Sequence, residues 1–397
     1  MSRSTRILVI GAGAAGSAAI RELAQHEEIS PTAIIETEVA PYNRTLINKA
    51  VATGLLDAYQ AHLPALPVPS IRDSVHAVDP LEQTLRLRSG ARLDYDALIV
   101  ATGSAPHSLP PNTTSPAALD SGRVTHLHSL DDALRVRAVL ERTRSPRVLI
   151  YGAGMIGAET AGILRDAGCR VTLAASSPIP GVSAFGSQVA GQLSQAHRVT
   201  VDTHFGHALT RLDLVESELH AAFTDGRVIA ADLAISALGT RPLSPSPWGG
   251  AIAVDSRLRS RDHENVYAAG GVAVHETDGT TWRIDHWSDA EAQGAHAARS
   301  VLSSLGHADA PEPYRPCALY SAQIHQHLYV AAGRTGRFGT TRALSTSPLV
   351  LTHGRADRLV GVSGLDAGPD VMALVPRLHT SITPMLTAES NPSTDTP

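Results

Sequence analysis

The chain has 397 residues, of which 43% are hydrophobic and 18% charged, the composition of a globular protein rather than a disordered or membrane-embedded one. Its length exceeds one ordinary core, so two or three domains are expected, and a net charge of −5 supplies no basic field for nucleic acid. The two cysteines, Cys169 and Cys317, lack C-x-x-C spacing, which excludes a disulfide framework or dithiol centre and fits a reducing cytoplasm.

Arg3 and Arg6 ahead of the apolar run Ile7 to Ile20 superficially resemble a secretory signal, but glycines at 11, 13 and 16 interrupt that run and point to a nucleotide loop instead. No other apolar stretch reaches the ~18 residues that span a bilayer, so a cytoplasmic protein without a membrane partner is expected. The pattern predicts a strand over Arg6 to Ile10, a helix from about Gly13 to His26 and a strand from Thr32 to Ile35, a βαβ unit. A turn- and proline-rich stretch, Pro41 to Pro69, follows. Short strands are predicted at Val75 to Val78, Thr84 to Leu87 and Ala97 to Val100. A helical pattern from Ser129 then leads into a second βαβ unit: the strand Arg147 to Tyr151, a helix to Ala167 and the strand Arg170 to Leu173. Two such units about 140 residues apart imply two nucleotide-binding lobes. Asn265 to Ala273 reads as strand then turn, Ser288 to Leu305 as a helix, His327 to Ala331 and Leu349 to Thr352 as strands, and Pro369 to His379 as a helix. The expected fold class is α/β, with two Rossmann-like dinucleotide-binding lobes, each a three-layer ββα arrangement, plus a small α+β C-terminal domain.

Both βαβ units carry G-x-G-x-x-G. In Gly11-Ala12-Gly13-Ala14-Ala15-Gly16 the first glycine permits the tight turn, the second lets backbone approach a pyrophosphate, and the third lets helix and strand pack closely. The helix N-terminus then offers unsatisfied N–H groups and a positive dipole end to the phosphates. Glu36 follows Gly16 by 20 residues, where a carboxylate accepts from ribose hydroxyls. The second loop, Gly152-Ala153-Gly154-Met155-Ile156-Gly157, repeats the geometry, but its strand runs out through Ala175-Ser176-Ser177 with no acid and no arginine, leaving NADH against NADPH open. No metal site is expected, because neither His204 and His207 nor His325 and His327 is joined by cysteines or an acidic cluster.

From about Arg6 to Gly333 the chain resembles the FAD-dependent NAD(P)H:ferredoxin and rubredoxin reductases, which share the pyridine nucleotide-disulfide oxidoreductase fold without a redox-active disulfide. The segment Pro41-Tyr42-Asn43-Arg44-Thr45-Leu46-Ile47-Asn48-Lys49 is similar to the family's P-Y-x-R-P-P-L-S-K, departing at Thr45, Ile47 and Asn48. Ala101-Thr102-Gly103 matches its ATG turn, and Gly157-Ala158-Glu159-Thr160-Ala161 its I-G-x-E-x-A helix start. Ala237-Leu238-Gly239-Thr240-Arg241-Pro242 matches its G-x-R-P turn. Arg283, Asp285, Trp287, Ala290, Gln293 and Gly294 match its R-x-E-x-W-x-x-A-x-x-Q-G stretch. The resemblance implies that Arg44 and Lys49 lie along FAD, Lys49 near the reactive edge, that Glu159 faces flavin and nicotinamide and pairs with Lys49, and that Trp287 packs by the ring. Such a pair would act by positioning and electrostatics.

The expected division is 1–120 with 241–305 as a discontinuous FAD-binding domain, 121–240 as the NAD(P)-binding domain, 306–386 as an interface-like α+β domain, and 387–397, polar with two prolines, as a disordered tail. Where relatives read A-x-G-D, with the aspartate on the FAD ribityl chain, this chain has Ala268-Ala269-Gly270-Gly271, a loss expected to weaken FAD by about 1–3 kcal/mol if nothing replaces the acceptor. Leu319-Tyr320-Ser321-Ala322-Gln323 stands where relatives have Phe-Trp-Ser-x-Gln beside the ring. The implied activity takes hydride from NADH or NADPH to flavin N5 and passes electrons to a small iron–sulfur carrier, in a monomer or homodimer. The altered ring surroundings leave open a flavin enzyme acting on a small-molecule acceptor or oxygen, and a non-catalytic flavin-binding regulatory protein.

Overall fold

The computed structural model describes residues 5–381 apart from 37–38, 278–279 and 337–338, so the tail expected over 387–397 lies outside the described residues. The chain forms two compact units: Met1–Ser108, His126–Arg137 and Gly239–Pro316 make one, and Leu109–Thr125, Ala138–Leu238 and Cys317–Pro397 the other.

The first unit is built on five parallel strands in the order Val266–Ala268, Ala97–Val100, Thr5–Ile10, Ile29–Ile35 and Ser70–Arg72. Ile7, Val9, Leu98 and Ile99 are continuous apolar runs, and all are fully buried, because a parallel sheet is covered on both faces. Ile20 and Leu23 of helix Ala14–Leu23 and Val301 and Leu302 of helix Trp287–Ser304 belong to the same core as Val78, Leu85 and Leu87 of an antiparallel sheet. Each such side chain contributes about 1.5–3 kcal/mol on burial. The two helices approach closely at Gly294, where an added Cβ would stand nearer than 3.0 Å to the Ala15 carbonyl. The strand Thr5–Ile10 has its successor in sequence on one side and Ala97–Val100 on the other. Its C-terminal end is therefore a topological switch point, where open α/β sheets bind ligands.

The second unit repeats this plan, with parallel strands in the order Asp202–Phe205, Arg170–Ala175, Arg147–Tyr151, Leu233–Ser236 and Val124–Thr125. A three-stranded antiparallel sheet, Leu209–Val215, Glu218–Phe223 and Val228–Ala231, packs Leu212, Leu219 and Phe223 against Leu149 and Tyr151. The C-terminal segment forms a five-stranded antiparallel sheet in the order Tyr320–Ile324, His327–Gly333, Arg358–Leu365, Leu349–Arg355 and Thr340–Thr346. Its Ile324, Tyr329 and Leu351 share a core with Ala158 of helix Met155–Asp166 and Phe185, Val189 and Leu193 of helix Val182–Thr200. The last expected helix is shorter than read: it spans Gly368–Leu374 and tightens to a 3-10 turn at Val375–Arg377, since Pro376 lacks the N–H that would continue it.

Candidate functional site

At the switch point of the first unit, Gly11 has φ +96°, and an added Cβ would stand nearer than 3.0 Å to the Ala101 carbonyl. Its N–H donates to the Ile34 carbonyl at 2.8 Å. A Cβ at Gly16 would meet the Gly11 carbonyl equally closely, whereas one at Gly13 meets nothing within 4 Å. Two glycines are thus closed in by protein and the middle one faces open space, the shape a backbone cradle for a pyrophosphate requires. Gly13 is the helix N-cap and brings no side-chain cap, so the first-turn N–H groups at Ala14 and Ala15 remain available to an anion. Glu36 follows the second strand, exposed, with Oε1 accepting from the Ser74 hydroxyl at 2.9 Å.

The second loop reproduces these relations residue for residue. Gly152 has φ +111°, its N–H donates to the Ala174 carbonyl at 2.8 Å, and an added Cβ would meet the Ala237 carbonyl. Gly157 is closed in against the Gly152 carbonyl and Gly154 is open. Helix Met155–Asp166 again has no side-chain cap, and Ile156 in its first turn is exposed. Because Gly11 bonds to Ile34 and Gly152 to Ala174, Ser176 is the counterpart of Glu36. Its side chain is exposed, while the Ser177 hydroxyl donates within its own turn to the Ile179 carbonyl at 3.0 Å. Glu159 is buried in the second turn of the same helix. It lies in the second unit and Lys49 in the first.

The Pro41 to Lys49 segment docks on the start of helix Leu130–Arg142. The Tyr42 hydroxyl accepts from the Leu130 N–H at 3.2 Å, and Asp132 and Ser129 cap that helix reciprocally. Arg44 is exposed, with Nη1 3.2 Å from Nε2 of His128. Burial, with Arg44 adding to it, pushes His128 down to about 4, so the ring is neutral and accepts from Arg44. Lys49 is the exposed residue of a π-helical turn, Ile47–Val51, whose Ile47, Asn48, Ala50 and Val51 are buried. Its charge reaches His286, the N-cap residue just ahead of Trp287; burial keeps that imidazole below its ordinary value, Asp289 opposes the shift and Lys49 adds to it. Lys49 and the half-buried Trp287 therefore border one region.

Of the remaining glycine turns, the one at Gly270 abuts the first loop at Ala15. Thr102 donates its hydroxyl to the Leu243 carbonyl, Gly103 has φ +74°, and Gly239, φ +79°, accepts from the His107 N–H at 2.9 Å. The Gly270 N–H donates to Oε1 of fully buried Gln293 at 2.7 Å, and an added Cβ at Gly270 would lie 3.2 Å from Cβ of Ala15. Arg283 donates from Nε to the Gly271 carbonyl at 2.8 Å and from Nη1 to the Thr240 carbonyl at 2.9 Å. Asp285, Ser104 and His128 enter this neighbourhood without having been read as site residues. Asp285 lay within the matched stretch, but its approach to Gly271 needs the fold to become visible. Among the described residues no cluster of His, Cys, Asp or Glu could hold a metal, neither cysteine forms a disulfide, and no helix is long and apolar enough to cross a membrane.

Two parallel sheets, each with an open glycine loop at its switch point, fit the class to which the protein belongs, an oxidoreductase that works with two dinucleotides, FAD and NAD(H). The sequence pattern of the pyridine nucleotide-disulphide oxidoreductases matches residues 5–294, and the chain belongs to that family. It is 28% identical to the ferredoxin–NAD(+) reductase component of the anthranilate 1,2-dioxygenase system of Burkholderia cepacia, covering 92% of each chain. It is 27% identical to the corresponding component of the p-cumate 2,3-dioxygenase system of Pseudomonas putida, over 77% of this chain and 76% of that one. Its fold is similar to the reductase in a covalent putidaredoxin reductase–putidaredoxin complex, with a TM-score of 0.83 at 20% identity, covering 98% of this chain and 97% of that one.

Proposed function

We propose that this protein is the reductase of an electron-transfer chain, oxidising NADH or NADPH and delivering electrons to a small iron–sulfur protein of ferredoxin or rubredoxin type. The observation that carries the reading is the likeness, along 92% of both chains, to a ferredoxin–NAD(+) reductase component, joined to the two open glycine cradles. When bound, FAD supplies the conversion between a two-electron donor and one-electron acceptors. The protein's own part is binding and positioning. The N–H groups at Ala14 and Ala15 hold the pyrophosphate of FAD and Glu36 its ribose. Arg44 and Lys49 border the flavin beside Trp287, and the N–H groups at Met155 and Ile156 hold the nicotinamide nucleotide. The neutral His128 ring accepting from Arg44 fixes that guanidinium without neutralising it, so its charge stays available to a phosphate.

We place the protein in the cytoplasm, where two cysteines outside any disulfide are at home. The test is NADH-driven reduction of cytochrome c with and without added ferredoxin or rubredoxin. Reduction that depends on the carrier supports the reading. Rapid oxidation of NADH by oxygen or a small quinone with no response to any carrier refutes it in favour of a small-molecule acceptor.

A further inference from the structure

The acid that relatives carry after the A-x-G of this turn is Gly271 here, yet the space beside it holds a carboxylate. A Cβ added at Gly271 would stand nearer than 3.0 Å to Oδ1 of Asp285 and 3.0 Å from its Cγ, with Ser104 Cβ 3.3 Å away. Asp285 belongs to the segment just ahead of helix Trp287–Ser304, and its two oxygens are treated differently. Oδ2 accepts from the Ser104 hydroxyl at 2.6 Å, from Arg283 Nη2 at 3.1 Å and from the Thr240 hydroxyl. No hydrogen bond among the described residues reaches Oδ1, and about a third of the side chain, 31%, remains exposed. Arg283 also holds the Gly271 carbonyl at 2.8 Å, so one side chain sets the carboxylate and the glycine against each other. The neighbouring Gly270 abuts Ala15 in the first turn of the phosphate-facing helix. A bare carboxylate oxygen so near that turn would repel a phosphate. It suits a hydroxyl donor joined to one.

We propose that Asp285 supplies, from a different element, the carboxylate that the chain lacks at Gly271, and that its Oδ1 accepts from the ribityl hydroxyls of FAD. Glycine at 271 is then a requirement of the arrangement: a side chain there would displace Asp285, and an acid there would set two carboxylates side by side. The proposal rests on FAD binding in the first unit. The sequence alone makes Gly271→Asp a gain of affinity; the placement of Asp285 reverses that expectation.

The test measures the Kd of the apoprotein for FAD by flavin fluorescence, and for ADP by competition, since ADP has the pyrophosphate but no ribityl chain. Asp285→Asn, which keeps shape, and Asp285→Ala should each weaken FAD about tenfold or more, the loss of a hydrogen bond to a charged group, with ADP unchanged. Gly271→Asp should weaken FAD as well, and Gly271→Asp combined with Asp285→Ala should bind it more tightly than either single variant. FAD affinity unchanged in Asp285→Asn overturns the proposal, as does an equal loss for FAD and ADP, which marks a structural role. Wild-type protein that binds no FAD overturns instead the flavin reading on which the proposal stands.

Discussion

Replacing Gly13 by alanine adds one methyl group where an added Cβ meets nothing within 4 Å and where the backbone, φ −69°, already suits alanine. The first unit should accept it, and the apoprotein should melt unchanged or slightly higher, since a less flexible unfolded chain stabilises by ~0.4–1 kcal/mol. On the proposed reading, the same methyl would enter the space through which a pyrophosphate reaches the first-turn N–H groups. Losing one charge-assisted hydrogen bond costs about 1.5–3 kcal/mol, a loss of roughly 10- to 150-fold in FAD affinity. Gly154→Ala, also open and at φ −71°, should do the same to the nicotinamide nucleotide while leaving FAD bound. Gly16→Ala is the contrasting variant, for its Cβ runs into the Gly11 carbonyl and the fold itself should suffer. Titration of apoprotein with FAD, and of FAD-loaded protein with NAD+, beside thermal melts, separates the three. A well-folded Gly13→Ala protein with wild-type FAD affinity would refute the assignment of this loop as a phosphate cradle.

Glu36→Gln should weaken FAD about tenfold, the low end of the range for a hydrogen bond to a charged group, while sparing the melting temperature, because its protein partner is the exposed contact with Ser74. Ser176→Glu should raise the preference for NADH over NADPH and Ser176→Arg should lower it, read as the ratio of kcat/KM values; no change in either would show that Ser176 does not stand beside the adenosine ribose. His353 is held at about 4 by burial, and His197 at about 3 by burial and the neighbouring His325. Both folded values lie below the ordinary 6.5, so the unfolded chain binds more protons in that interval. Their contribution to stability is complete above about pH 6.5 and is lost as pH falls toward 4 and then 3. Melts of the apoprotein across that window should drop with acid, and His353→Gln should flatten the drop; an equally steep fall would assign the acid sensitivity elsewhere.

Both βαβ units were legible because glycine spacing and apolar runs report local backbone demands. The strands Thr84–Leu87, Ala97–Val100 and Arg147–Tyr151 fall where periodicity put them. Helix Val182–Thr200 escaped because Gly186, Gly191 and several polar residues blur its stripe, and Gly186 itself leaves helical geometry at φ 77°. The antiparallel strands between Leu209 and Ala231 were not read, although Asp225-Gly226 marks the turn between the last two of them. Within the site, Gly11 to Gly16, Gly152 to Gly157 and Glu36 could be read from spacing. Asp285 against Gly271 could not, since 14 residues part them and it is the antiparallel pairing of Ala273–Thr277 with Thr280–Trp282 that folds one back beside the other. Likewise, the register of the second strand, rather than a count of residues, picks Ser176 over Ser177.

The central claim is that this chain moves electrons from a nicotinamide nucleotide through a bound flavin. Its most direct test is to load the protein with FAD and mix it anaerobically with NADH and, separately, with NADPH, while following the visible flavin band. The account predicts bleaching by at least one of the two and recovery of the band when oxidised ferredoxin is added. A fully loaded protein whose flavin is bleached by neither nucleotide contradicts it.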